Sequence, residues 1–162
     1  MFSGEQLKLA EAVLAACRNA GLKLGVAESC TGGLISGCLT AVSGSSDVVE
    51  RGFVTYTNEA KFDQLGVPLS LIDTVGAVSE EVARAMAEGA IKKSKAQITV
   101  AVTGIAGPTG GTPDKPVGLV HIAVAREGVD TVHERCQFDG DRDAVREQTV
   151  SAALEMIMAL AG

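Results

Sequence analysis

A short apolar run, Leu24-Gly25-Val26-Ala27, passes through Glu-Ser-Cys-Thr-Gly-Gly into apolar residues at helical spacing: Leu34, Ile35, Cys38, Leu39 and Val42. Four apolar residues make a strand, and the 3.6-residue period that follows makes a helix. Residues 28 to 33 are therefore a strand-to-helix turn. After the turn Ser43-Gly44-Ser45-Ser46, a second extended stretch from Val48 to Thr55 completes a βαβ unit. Such a unit commits the chain to a parallel strand pair with a right-handed crossover, and so to an α/β class.

The other segments fit around that unit. Residues 4 to 20 read as a helix with a Ser3/Gln6 capping box, an apolar face of Leu7, Ala10, Leu14 and Cys17, and Gly21 as its stop. Asn58 is placed to cap a short helix through Lys61 and Leu65. Ser79 opens a helix with Glu80 and Glu81 at its positive end and Lys92, Lys93 and Lys95 at its negative end, as the dipole favours. Its buried face is Val82, Ala85, Met86, Gly89 and Ala90. Ile98 to Val102 is a third strand. Val117 to Ala125 is apolar throughout, as a central strand is. Arg126-Glu127-Gly128 turns it into Val129 to Phe138, which alternates and belongs near an antiparallel edge. Asp141 caps a last helix whose inner face is Val145, Thr149, Ala152, Ala153, Met156 and Leu160. The expectation is one domain over residues 1–162, a three-layer α/β/α sandwich about a mixed sheet of about five strands.

Composition removes several function classes. With 46% hydrophobic residues, no Trp and one Tyr, the core must be built from Ala, Val, Leu and Ile. A net charge of −6, with Lys92, Lys93 and Lys95 as the only basic cluster, offers no face to nucleic-acid phosphates. No apolar run reaches the ~18 residues a membrane span needs. The first residues lack a charged n-region and a cleavage site, so a cytoplasmic protein is expected. Cys17, Cys30, Cys38 and Cys136 show no CxxC spacing and read as reduced thiols. With two His in the chain, neither a metal nor a cofactor is expected.

In open α/β sheets ligands bind beyond the C-terminal strand ends. Strand one ends at Ser29, strand two at Tyr56 and strand three at Thr103-Gly104; if the three are parallel, those ends share a rim. Ser29 stands beside the backbone N–H groups of Cys30, Thr31, Gly32 and Gly33. A hydroxyl next to a helix start is the minimum equipment for acyl transfer, although the same pattern serves as an ordinary capped turn. Lys61, a helical turn beyond Tyr56, is the better candidate base, because His121 lies mid-strand and His133 on a hairpin. Burial and the positive end of the second helix are both expected to lower its proton affinity. Tyr56 is placed to relay or orient the proton. Cys30 is the rival nucleophile and fits better as a small buried residue. The segment 103–118, with five Gly and three Pro, is an ordered loop or a flap. It matches neither GxxxxGK[ST] nor GxGxxG. Arg142 and Arg146 begin the last helix against the dipole preference, either as an anion contact or as a solvated pair beside Asp141 and Asp143.

AESCTGGLIS at 27–36, TYTNEAKFDQLGV at 55–67, GAVSEEVARAMAEGA at 76–90 and AVTGIAGPTGGTPDKPVGLVHIA at 101–123 together resemble the CinA C-terminal domain family. The resemblance runs over nearly the whole chain. It implies a nicotinamide-nucleotide amidase that hydrolyses nicotinamide mononucleotide to nicotinate mononucleotide and ammonia, in pyridine nucleotide recycling. By resemblance Ser29 is the nucleophile, with Lys61 and Tyr56 in a serine–lysine type of site. Ser46, Thr103 and Arg142 are further carried-over positions, and the backbone at Cys30 to Gly33, Gly104 and Gly107 is assigned to substrate binding. The implied partner is a small nucleotide, and a homo-oligomer (dimer or higher) is expected. Some family members carry this domain behind a larger one; this chain is too short to hold both and reads as free-standing. Two alternatives are a nucleotide-binding module without turnover and an interaction domain in a competence or damage pathway.

Overall fold

The computed structural model describes residues 1–162. In chain order the elements are α1 (Gly4–Asn19), β1 (Leu24–Glu28), α2 (Leu34–Thr40), a 3-10 turn (Ser45–Asp47), β2 (Val49–Val54), α3 (Asn58–Leu65), α4 (Leu69–Val75), α5 (Glu80–Lys92), β3 (Ile98–Gly104), β4 (Leu119–Arg126), β5 (Val129–Gln137) and α6 (Arg142–Ala161). The five strands form one mixed sheet in the order β2-β1-β3-β4-β5. β1 runs parallel to both β2 and β3, and β3, β4 and β5 are successively antiparallel. The three parallel strands therefore deliver Ser29, Thr55 and Gly104 to one rim.

The side-chain alternation of the strands sorts the core into two layers. Leu24, Val26, Ile98, Val100, Val102, Val120, Ile122 and Val124 face α1, α2 and α6. Ala27, Ala101, Ala123 and Ala125 face α3, α4 and α5. Small residues on the second face let α5 settle close to the sheet, and α5 in turn carries α3. At that crossing Gly89 of α5 touches α3: a Cβ on Gly89 would collide with the Leu65 backbone carbonyl.

Caps account for most helix starts. The Ser3/Gln6 box is present with both bonds, Ser79 caps α5 and Asp141 caps α6. At α3 the cap is Thr57, whose hydroxyl accepts from the Ala60 N–H, and Asn58 is the first helical residue. The inner face of α6 is rotated from the expected one. Val150, Leu154, Ile157 and Ala161 are buried with Val145, Thr149 and Ala153, whereas Ala152, Met156 and Leu160 are half-buried. α6 packs on α1 as well as on the sheet, so two apolar directions share one helix.

The glycine-rich segment after β3 is held at several points. Gly118 N–H donates to the Ile105 carbonyl, Thr112 N–H to that of Lys115, and the Lys115 ammonium to that of Val75 at 2.6 Å. From the other side Arg142 donates to the Gly107 carbonyl at 2.9 Å. Its glycines permit this path: a Cβ on Gly104 would press on the Leu119 carbonyl and one on Gly107 on Val117.

Candidate active site

Strand alternation puts Glu28 and Ser29 on opposite faces of the sheet. Ser29 points toward α3. There Lys61, one turn into the helix and 1% exposed, brings its Nζ to 3.0 Å from the Ser29 Oγ. The same nitrogen lies 2.8 Å from the Thr55 carbonyl oxygen and 3.4 Å from that of Tyr56. Burial holds the amine below the ordinary lysine value of 10.5. The start of α2 is engaged on the other face of the sheet.

Glu28 is fully buried at the start of α2. Its carboxylate accepts from the Thr31 hydroxyl (2.6 Å), the Ile35 N–H (2.8 Å), and both the N–H (3.1 Å) and the hydroxyl (2.9 Å) of Ser36. The helix start is thus occupied by the chain's own carboxylate. α2 begins at Leu34, not Thr31, after Gly33 at φ +107° and Gly32 at φ +58°. Gly32 N–H donates to the Ser29 carbonyl, while the N–H groups of Cys30, Thr31 and Gly33 have no acceptor within the chain. The expected anion-binding backbone is therefore a free turn ahead of the helix, and Gly32 is not one of its donors.

Around this pair lies a cleft of about 250 Å³, lined by Ser29, Cys30, Tyr56, Asn58, Lys61, Ala77, Val78, Thr103, Gly104, Ala106 and Arg142. No carboxylate or imidazole lines it. A larger hollow of about 500 Å³ between α1 and α6 includes Glu5, Glu147 and Glu155 but no Lys, His or Cys.

The remaining candidates divide. Cys30 is buried and its thiol is pushed up to about 12, chiefly by burial, so it is a protonated, inert wall. Tyr56 is 60% exposed; its carbonyl oxygen faces Lys61, and its hydroxyl lies 3.2 Å from Arg142. The Thr103 hydroxyl donates to the Ala77 carbonyl at 2.9 Å, pinning the segment between α4 and α5 to the rim. Gly107 meets the site through its carbonyl on Arg142. Arg142 spans from the glycine loop to Tyr56 and pairs with no carboxylate. Ser46 is not part of this cleft: it is exposed in the 3-10 turn before β2, whose first residue pairs with Leu24. That puts Ser46 at the opposite end of the strands from Ser29. Glu28 had no signal at the level of spacing, and Arg146, expected as an anion contact or a solvated residue beside Arg142, donates instead to the Cys30 and Thr31 carbonyls, each at 3.2 Å.

A stand-alone relative from Pseudomonas putida, the nicotinamide-nucleotide amidohydrolase PncC, is 55% identical over 134 residues, which is 83% of each chain. A CinA-like protein from Citrifermentans bemidjiense is 48% identical over 97% of this chain and 38% of its own length. The chain spans 36 to 39% of the length of several such relatives. The crystal structure of the competence/damage inducible protein CihA from Agrobacterium tumefaciens superposes with a TM-score of 0.97 at 49% identity, covering 100% of this chain and 99% of that one. The model of the CinA C-terminal domain matches residues 6–161, and the chain belongs to that family.

Proposed function

We propose that this chain is a nicotinamide-nucleotide amidase that converts nicotinamide mononucleotide to nicotinate mononucleotide and ammonia. The observation that carries the reading is the buried Lys61 amine 3.0 Å from the Ser29 hydroxyl in a cleft at the strand ends. The amidohydrolase named for the relative supplies the substrate.

Two of the three acceptors around Lys61 are carbonyl oxygens, which cannot donate. A neutral amine gives its two N–H bonds to Thr55 and Tyr56 and turns its lone pair to the Ser29 hydroxyl. Lys61 takes the Ser29 proton as Oγ bonds to the carboxamide carbon. The carbonyl π electrons move onto oxygen, and the N–H groups of Cys30 and Thr31 receive that charge; one such donor contributes ~3 kcal/mol. The C–N bond then breaks, the nitrogen leaves as ammonia with the proton from Lys61, and an ester remains on Ser29. Water attacks the ester, gives a proton to Lys61, and releases the pyridine acid while Ser29 regains its hydrogen.

Arg142 takes the nucleotide phosphate. It is held by a carbonyl and a phenol, and a dianion is a far better partner than either. Tyr56 orients Arg142 and forms one wall of the cleft. A binder without turnover has no use for a desolvated lysine against a serine.

The test is release of ammonia from nicotinamide mononucleotide by the purified protein, matched by nicotinate mononucleotide in equal amount. Tight binding of the nucleotide with no ammonia released would refute the amidase reading in favour of a binding module.

A further inference from the structure

The turn that follows the nucleophile has little rigidity of its own. Gly32 and Gly33 both sit at positive φ, where glycine costs nothing sterically but also restrains nothing. Two backbone bonds close it, from Gly32 N–H to the Ser29 carbonyl and from Leu34 N–H to the Thr31 carbonyl, and neither holds the Cys30 carbonyl. Yet the N–H groups of Cys30 and Thr31 must be in place before charge develops, because donors that reorganise during the reaction lose their advantage.

Arg146 supplies the missing restraint from α6, 115 residues away in sequence. Its Nε donates to the Cys30 carbonyl and its Nη2 to the Thr31 carbonyl. In a trans peptide the C=O and the next N–H point in opposite directions. Holding the Cys30 carbonyl therefore aims the Thr31 N–H away from the guanidinium. A Cβ at Gly32 would stand in ordinary contact with Nη2, at 3.5 Å, so it is the φ of +58° and not space that favours glycine there. Thr31 is gripped from both ends, by Glu28 at its hydroxyl and by Arg146 at its carbonyl. No carboxylate pairs with Arg146, so its charge is directed at the turn.

We propose that Arg146 is a positioning residue for the oxyanion: its grip on the Cys30 carbonyl aims the Thr31 N–H of the same peptide at the tetrahedral intermediate formed on Ser29, and its grip on the Thr31 carbonyl steadies the Gly32 N–H, whose bond to the Ser29 carbonyl holds the peptide that carries the Cys30 N–H. The proposal rests on Ser29 acting as the nucleophile. It requires a planar fork that spans two consecutive carbonyls, which a lysine cannot reproduce.

The experiment compares the whole chain with Arg146→Ala and Arg146→Lys in two assays. One is kcat and KM for nicotinamide mononucleotide across pH. The other is the rate at which a fluorophosphonate, whose adduct carries a tetrahedral P–O group, labels Ser29 by mass spectrometry. In Arg146→Ala, kcat and the labelling rate are expected to fall together by ~10- to 100-fold, with KM nearly unchanged and the acid limb of the rate at the same pH. Added guanidinium ion should restore part of kcat, and Arg146→Lys should remain impaired. A rise in KM alone would make Arg146 a substrate anion contact and overturn the proposal. So would an acid limb that moves, or wild-type kcat in Arg146→Lys. If Arg146→Ala does not fold, the lysine variant and guanidinium rescue decide. Wild-type protein that is labelled at Ser29 but releases no ammonia would refute the amidase reading alone, leaving the labelling arm as the test. Wild-type protein that releases ammonia but is not labelled at Ser29 overturns the proposal and leaves the amidase reading standing.

Discussion

The Lys61 nitrogen lies closer to the Thr55 carbonyl oxygen, at 2.8 Å, than to the Ser29 hydroxyl, at 3.0 Å. No carboxylate within 4.0 Å compensates a charge there. The site thus solvates an amine by dipoles and penalises an ammonium. Lys61→Arg is expected to be as inactive as Lys61→Ala, because arginine keeps the charge and cannot take a proton at working pH. The defect should fall on kcat. A Lys61→Arg variant with substantial kcat and a raised KM would remove Lys61 from the base position.

The same burial makes both rate and stability rise with pH. The rate should climb with pH through the lowered Lys61 value, since the neutral amine is the working form. For stability, the unfolded lysine titrates near 10.5 and the folded one below it, so the unfolded chain binds more protons between the two. Wild-type stability relative to Lys61→Met should therefore rise as pH is raised through that window. Urea denaturation of both proteins at several pH values measures it, and parallel profiles would contradict a desolvated Lys61.

Ser29→Ala should bind the nucleotide and fail to turn it over, while Cys30→Ala turns it over. The Cys30 thiol, pushed up to about 12, should resist iodoacetamide at neutral pH in the folded protein. Alkylation of Cys30 with loss of activity would reverse the assignment of the two neighbours.

Glu28→Gln should lower stability by about 1–3 kcal/mol, because the amide turns a donor toward a carboxylate site ringed by four donors. It should also lower kcat more than it raises KM, since the turn loses one of its two grips. A glutamine variant with wild-type stability in denaturant would show that the carboxylate is not needed there.

His121 predicts the acid side. Its Nδ1 lies 2.8 Å from the His133 Nε2, and burial, with His133 beside it, lowers its value from 6.5 to about 4. Below pH 6.5 the unfolded imidazole gains a proton that the folded one refuses until about pH 4. Stability should therefore fall between those values by about 2–3 kcal/mol as pH drops, and His121→Gln should flatten that slope. An unchanged slope in the variant would assign acid unfolding to other groups.

The site was legible where its residues lie within a turn of a strand end. Ser29, Lys61 and Thr103 could be placed near one rim because three parallel strands fix where their successors go, whereas Arg142, which follows β5, came only from its place at a helix start and from the resemblance. What spacing could not reveal depends on partners far along the chain. Glu28 read as the first residue of the strand-to-helix turn, and only the fold shows it ending β1 with its carboxylate closed over by α2. Arg146 meets Cys30 and Thr31 only because α6 packs back across the sheet. The His121–His133 contact is a diagonal across β4 and β5, where His121 is registered with Arg135 and His133 with Ala123. α4 follows Pro68 with no side-chain cap and so carried no start signal. Ser46, carried over by resemblance, lies at the opposite end of the strands from Ser29.

The missing side chain at Gly89 has a reach beyond its own helix. α3 rests on α5 at that point, and Lys61 is one turn up α3 from the contact. Any Cβ at 89 lifts the Leu65 end of α3 and tilts Lys61 away from the serine it must meet. In a saturation screen scored on turnover, position 89 would behave like an active-site residue although it touches no ligand. The spacing between nucleophile and base is set, in part, by a hydrogen atom on the far side of the helix that carries the base.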